Sequence, residues 1–279
     1  MVQRTLDWFD AFVAAHRMDD PEDNAHLDLK RDHCLRVMDD ARAQAVELGW
    51  SGHLVDLATI AGLCHDVGRF PQYRRYRTFC DPQSADHGRL GVEALTHHGG
   101  LAWLSPEERH LVRLSVAVHN RKILPPAVAD RQDTAGTLVR IVRDADKLDI
   151  MRVIVAYFRK PGPKDPVVFR HLPEKPNAFT PSLIDDIEDG RNGSYDSMRS
   201  VNDFALVLLS WINTLSFARS RRLFFGRGLV RDLFSVLPEH PDIAALSRRY
   251  HARFAPVAAN VPENTLQANA ADQTAAPRL

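Results

Sequence analysis

Ala61-Gly62-Leu63-Cys64-His65-Asp66-Val67-Gly68-Arg69-Phe70 is the stretch on which the reading of this chain turns. Leu54, Leu57, Ala58, Ala61 and then Cys64 or His65 recur at helical spacing. A buried helix therefore delivers an adjacent imidazole and carboxylate at its C-terminal end, where Gly68 can supply a left-handed cap. An isolated buried carboxylate is expensive, and a neutral imidazole beside an ionised carboxylate is a ready bite for a divalent cation. Alone, such a pair reads first as a capped helix with a hydrogen-bonded histidine, so its meaning depends on what the other helices bring.

Upstream, Leu6, Phe9, Phe12 and Val13 mark a first amphipathic helix that ends before the charged loop Arg17 to Asp23. A longer helix follows from about His26 to Leu48, closed by Gly49, with Leu29, His33, Val37, Met38, Ala41, Ala45 and Leu48 as its buried stripe. His33 thus sits on an apolar face, with Arg36 one turn on.

Downstream, Phe70 to Gln83 reads as a loop with one helical turn at most. It is rich in arginine (Arg74, Arg75, Arg77) and aromatic residues, and only Arg69, three residues past Asp66, is placed to serve the pair. Asp86 caps a helix whose face holds His87, Leu90, Gly91, Ala94 and Leu95, while His97 and His98 fall at its frayed end. Ser105-Pro106-Glu107-Glu108 is a capping box that opens a helix ending at Val118 or His119, with Leu111, Ser115 and His119 in one row. From Asp133 another helix carries Leu138, Ile141, Val142, Ala145 and Leu148. Asp144 lies in that stripe, and Asp146 is expected to point elsewhere.

Past Phe158, Pro161, Pro163, Pro166, Pro173, Pro176 and Pro181 exclude a long helix and predict an irregular lobe. Asn202 to Phe225 reads as one strongly apolar helix, followed by Leu229 to Leu237 and a last helix near Ile243 to Tyr250. The expected organisation is an all-α core over 1–158, a proline-rich lobe over 159–199, C-terminal helices over 200–254 and a disordered tail over 255–279.

With 36 basic and 36 acidic residues among 279, the chain has no global field of the kind that marks nucleic-acid or membrane-surface binders. Three cysteines without CxxC spacing fit a reducing compartment rather than a disulfide framework. No apolar signal region opens the sequence and no run approaches membrane-spanning length, so the expectation is a cytoplasmic protein.

His33, His65-Asp66, His87, His119 and Asp144 recur in order beside apolar positions on successive helices. In this ordered set, with Asp32-His33-Cys34, His65-Asp66-Val67-Gly68, Asp86-His87-Gly88, His119-Asn120 and Asp144-Ala145-Asp146-Lys147, the chain resembles the HD-domain superfamily of metal-dependent phosphohydrolases over about Leu27 to Val155. The resemblance implies that His33, His65, Asp66 and Asp144 bind one divalent metal, and that Asp66 bridges to a second held by His87 and His119. Mixed imidazole and carboxylate ligands suit Mn, Fe, Co, Ni or Zn. Arg69, Lys147 and Lys122 are candidates for holding phosphate, with Asp66, Arg69 and Lys147 the expected catalytic set. The implied partner is a small phosphorylated metabolite, a nucleotide among the options. Two other readings stay open: a di-iron oxygenase, which some relatives in the superfamily build from a six-ligand set, and a metal-retaining regulatory module without turnover.

Overall fold

The computed structural model describes residues 1–259, all helix and connecting segments, with no strand among them. Helices α1 (Val2–Ala14), α2 (Pro21–Glu47), α3 (His53–Cys64), α4 (Arg69–Tyr76), α5 (His87–His97), α6 (Pro106–Val118), α7 (Pro126–Ala129) and α8 (Thr134–Arg159) form the first half. Helices α9 (Pro181–Glu188), α10 (Val201–Ser210), α11 (Ala218–Gly226), α12 (Leu229–Ser235) and α13 (Pro241–Ala259) form the second. None is long and apolar enough to cross a membrane.

The helix starts follow from short polar side chains that satisfy the free backbone N–H groups of a first turn. Asp20 accepts from Glu22 at the head of α2, Asp86 from Gly88 and Arg89 at α5, and Asp133 from Gly136 at α8. Ser105 and Glu108 close the capping box that opens α6.

α8 is the spine shared by two apolar cores. Its N-terminal half packs Leu138, Ile141, Val142 and Ala145 against α2, α3 and α6, and its C-terminal half packs against α11 and α12, where Leu148, Met151, Ile154 and Val155 join a core completed by α10 and α13. Gly62 lets α2 and α3 approach closely, because a Cβ there would lie 2.8 Å from the Ala41 Cβ and 2.9 Å from the Val37 carbonyl oxygen.

Several boundaries differ from the sequence reading. α2 begins at Pro21, and the arginine-rich stretch after the His-Asp pair holds a two-turn helix, α4, ended by Arg77 in the left-handed region at φ 55°. Gly68 is right-handed, at φ −67°, so it is no left-handed cap. Its glycine is required by close approach: a Cβ would stand 2.0 Å from the His87 carbonyl oxygen and 2.5 Å from the Gly91 nitrogen.

The apolar stretch Asn202 to Phe225 is broken. α10 runs into a 3-10 turn, Trp211–Thr214, and the chain extends through Leu215 before α11. The proline-rich segment accommodates α9, with Pro181 in its first turn, and a 3-10 turn at Tyr195–Ser197. α13 continues to Ala259, into the segment expected to be tail; the remainder of that tail, 260–279, lies outside the described residues.

Candidate metal centre

Four histidines from four elements converge at the middle of the first core. His33 comes from α2, His65 from the residue that ends α3, His87 from the first turn of α5 and His119 from the residue that ends α6, all buried. They meet as two pairs. The Nε2 atoms of His33 and His65 are 3.1 Å apart, and those of His87 and His119 are 3.0 Å apart. Asp66 lies between: its Oδ2 is 3.6 Å from His33 Nε2 and 3.8 Å from His65 Nε2, and its Oδ1 is 3.2 Å from His87 Nε2 and 3.4 Å from His119 Nε2. A second carboxylate, Asp146 of α8, places Oδ1 at 3.1 Å from His33 Nε2 and 3.4 Å from His65 Nε2.

The outer nitrogen of every ring is already occupied. Nδ1 of His65 meets the Gly62 carbonyl oxygen at 2.7 Å and that of His119 the Val116 carbonyl oxygen at 2.8 Å. Nδ1 of His33 meets Asp149 at 2.7 Å and that of His87 meets Asp81 at 2.7 Å. Because carbonyl and carboxylate oxygens only accept, each Nδ1 is the donor, and in the neutral ring Nε2 is left as a lone pair. Two lone pairs facing each other at 3.0–3.1 Å beside carboxylates repel unless a cation stands among them. Histidines oriented through their second nitrogen in this way are how proteins prepare metal ligands. The donor set therefore fits divalent metal: His33, His65 and Asp66 form one group and Asp66, His87 and His119 another, while Asp146 adds a carboxylate beside His33 and His65 and also groups with His65 and His119.

The model of the HD domain matches residues 31–151, a range that holds all six of these donors. Over these residues the chain carries an HD domain. No curated protein and no solved structure matches the chain.

The charges of the HD centre are mutually dependent. Burial alone would raise the Asp66 carboxyl, but the Lys30 ammonium at 2.7 Å and the Arg69 guanidinium at 3.3 Å hold it well below the usual carboxylate range. Burial opposes ionisation of Asp146 too, yet the His33 and His65 rings beside it hold its carboxyl well below the usual carboxylate range. Burial and the nearby Arg69 push His87 down to about 4, so that ring stays neutral at physiological pH. The carboxylates thus remain charged and draw positive charge toward them.

One expected ligand is corrected. Asp144 is buried but faces away from the histidines, and its carboxylate receives the backbone N–H groups of Ser216 and Phe217. Asp146 takes its place. The two lie about 200° apart around α8, and since Asp144, Asp146 and Asp149 are all buried there, the apolar stripe does not single out one face.

Arg69 and Lys147 both line the cleft above the centre. Arg69 also donates to the Phe79 carbonyl oxygen and to Asp81, while Lys147 donates to Thr214 and is pushed down by burial to about 8. Lys122 lines the outer part of the same cleft.

Sequence reading missed Lys30, Asp81, Asp146 and Asp149. Lys30 stands three residues before His33, a spacing that puts both on one helical face and marks it as legible. Asp81 sits in a 3-10 turn with no periodicity to betray it.

Proposed function

We propose that this protein is a metal-dependent phosphohydrolase that cleaves a phosphoester of a nucleotide or another small phosphorylated metabolite. The HD domain and the prepared donor set support a metal hydrolase. The observation that carries the phosphoester assignment is the cleft of about 370 Å³ over Asp66, which Lys30, Arg69, Arg121, Lys122, Lys147 and Arg170 line together. A concave site with metal donors at its floor and ammonium and guanidinium groups on its walls matches a small polyanion.

His33, His65, Asp66 and Asp146 would hold one divalent metal, and Asp66, His87 and His119 a second, which would supply Lewis acidity and lower the pKa of water at the site. The residues of the chain do the rest. Lys30 and Arg69 flank Asp66 and neutralise charge that develops on phosphoryl oxygens. Asp149 and Asp81 hold the protons on His33 Nδ1 and His87 Nδ1, which keeps the Nε2 lone pairs turned inward. Hydrolysis breaks the ester P–O bond, delivers the water oxygen to phosphorus and releases the alcohol with a proton.

The deciding experiment combines elemental analysis of the purified protein with a phosphoester panel run without oxygen in Mn, Co or Ni. Release of inorganic phosphate or a nucleoside phosphate supports the reading. Turnover that appears only with iron, consumes oxygen and cleaves no phosphoester replaces it with di-iron oxygenase chemistry. Metal retention without either activity leaves a regulatory module.

A further inference from the structure

The cleft does not end at the HD centre. It continues into a side chamber of about 120 Å³ walled by Ile150, Val153 and Ile154 of α8, Val167 and Val168 of the proline-rich segment, and Phe204 of α10. Lys30, Arg69, Phe79, Ile150, Arg170 and Tyr195 line both spaces, and the His33 ring reaches the chamber wall. A molecule with its phosphoryl group over Asp66 therefore has this chamber as the place for its organic part.

The chemistry of the lining limits what that part can be. Lys30 and Arg69 are tied to Asp66, His33 Nδ1 is held by Asp149 while its Nε2 faces the other metal donors, and the Arg170 guanidinium lies 4.7 Å from the centroid of the Tyr195 ring. Among the described residues, no carboxylate and no side-chain amide lines the chamber. A nucleobase edge mixes donors with acceptors, and its several N–H groups would find few side-chain acceptors here, the Tyr195 hydroxyl among them, so the site discriminates against it. The volume is also small: an apolar cavity of about 150 Å³ holds benzene.

We infer that this chamber receives the organic group of the substrate and selects a compact hydrocarbon, a single ring or a short branched chain, over a nucleoside or a polyol. The inference rests on the phosphohydrolase reading and narrows its substrate class to phosphate monoesters of small apolar alcohols. The proline-rich segment then has a defined role, because Val167, Val168 and Arg170 make one wall.

The test is calorimetric binding to the full-length protein of benzyl phosphate, glycerol 3-phosphate, uridine monophosphate and inorganic phosphate, with steady-state kinetics on the three esters. Benzyl phosphate is expected to bind at least tenfold tighter than the other two esters, with kcat/KM in the same order. Val168→Asn, which makes the wall polar, and Val168→Phe, which fills the space, should each erase that preference while binding of inorganic phosphate is kept. Equal or tighter binding of uridine monophosphate, or a benzyl preference that survives both substitutions, overturns the inference. The binding order without any turnover supports the chamber and overturns the hydrolase reading alone.

Discussion

Asp144 holds Ser216 in place: its carboxylate receives the Ser216 backbone N–H at 2.8 Å, across the break that separates α10 from α11. Phe217 N–H joins it at 3.0 Å. Burial raises the Asp144 carboxyl from its ordinary value, while Lys147 and the Ser216 and Phe217 backbone N–H groups pull in the opposite direction. Asp144→Ala should therefore destabilise the fold by about 1–3 kcal/mol, the cost of leaving buried donors unpaired. Asp146→Ala should instead lower metal content in a protein that still melts cooperatively. Chemical denaturation and elemental analysis on both variants check this, and metal loss confined to Asp144→Ala would reverse the assignment.

Asp149 and Asp81 orient His33 and His87 through their Nδ1 nitrogens. Asp149→Asn and Asp81→Asn are expected to weaken metal affinity by about 10–100-fold with little change in secondary structure. Competitive chelator titration reads this directly. Unchanged affinity in both would mean that the rings are held by packing alone.

Arg69 meets Asp66, Asp81, Gln72 and the Phe79 carbonyl oxygen with one guanidinium. Arg69→Ala should reduce kcat/KM on a phosphoester by about 1–3 kcal/mol of transition-state stabilisation, the range for hydrogen bonds to charged groups. Lys30→Met should fall in the same range. Full activity in both variants would remove the cations from the mechanism.

How much of this was legible follows a physical division. Periodicity and caps located α3, α5 and α6, and with them His65, Asp66, His87 and His119, because an amphipathic helix with one buried face announces which residues point inward. α8 defeats that logic: buried on several sides, it offers three inward aspartates and no stripe to choose among them. The helix break at Leu215 was hidden for the opposite reason, since Leu206 to Leu209 and Trp211 to Ile212 continue an apolar run in which nothing marks the turn. Asp81 belongs to a non-repetitive turn, where position is set by tertiary contacts alone.

The proline-rich segment is pinned to α2 by His26. Its Nε2 lies 3.1 Å from Asp165, and its Nδ1 meets the Tyr73 hydroxyl, which in turn donates to Asp23. The hydrogen bond to Asp165 raises the His26 pKa above 6.5. Burial resists ionisation of Asp165, but the His26 bond lowers its pKa below 3.8. The His26 contribution is therefore whole below pH 6.5 and fades as pH climbs through the raised value. The Asp165 contribution is whole above pH 3.8 and fades as pH falls through the lowered one. Protection of the amides around Val167 and Val168, taken relative to the intrinsic exchange rate at each pH, should be highest between these limits and fall on the alkaline side. His26→Gln should flatten that profile, and a profile unchanged by the substitution would show that other contacts hold the segment.

Gly68 gives the centre its gauge. With only a hydrogen between its backbone and that of His87, the turn carrying His65 and Asp66 rests main chain against main chain on the first turn of α5. The separation between the two histidine pairs is thus fixed by atoms that have no rotamers to change, much as a shim sets the clearance between two machined faces. The side chains that bind can be exchanged one at a time, but the interval across which they face one another is a property of the backbone.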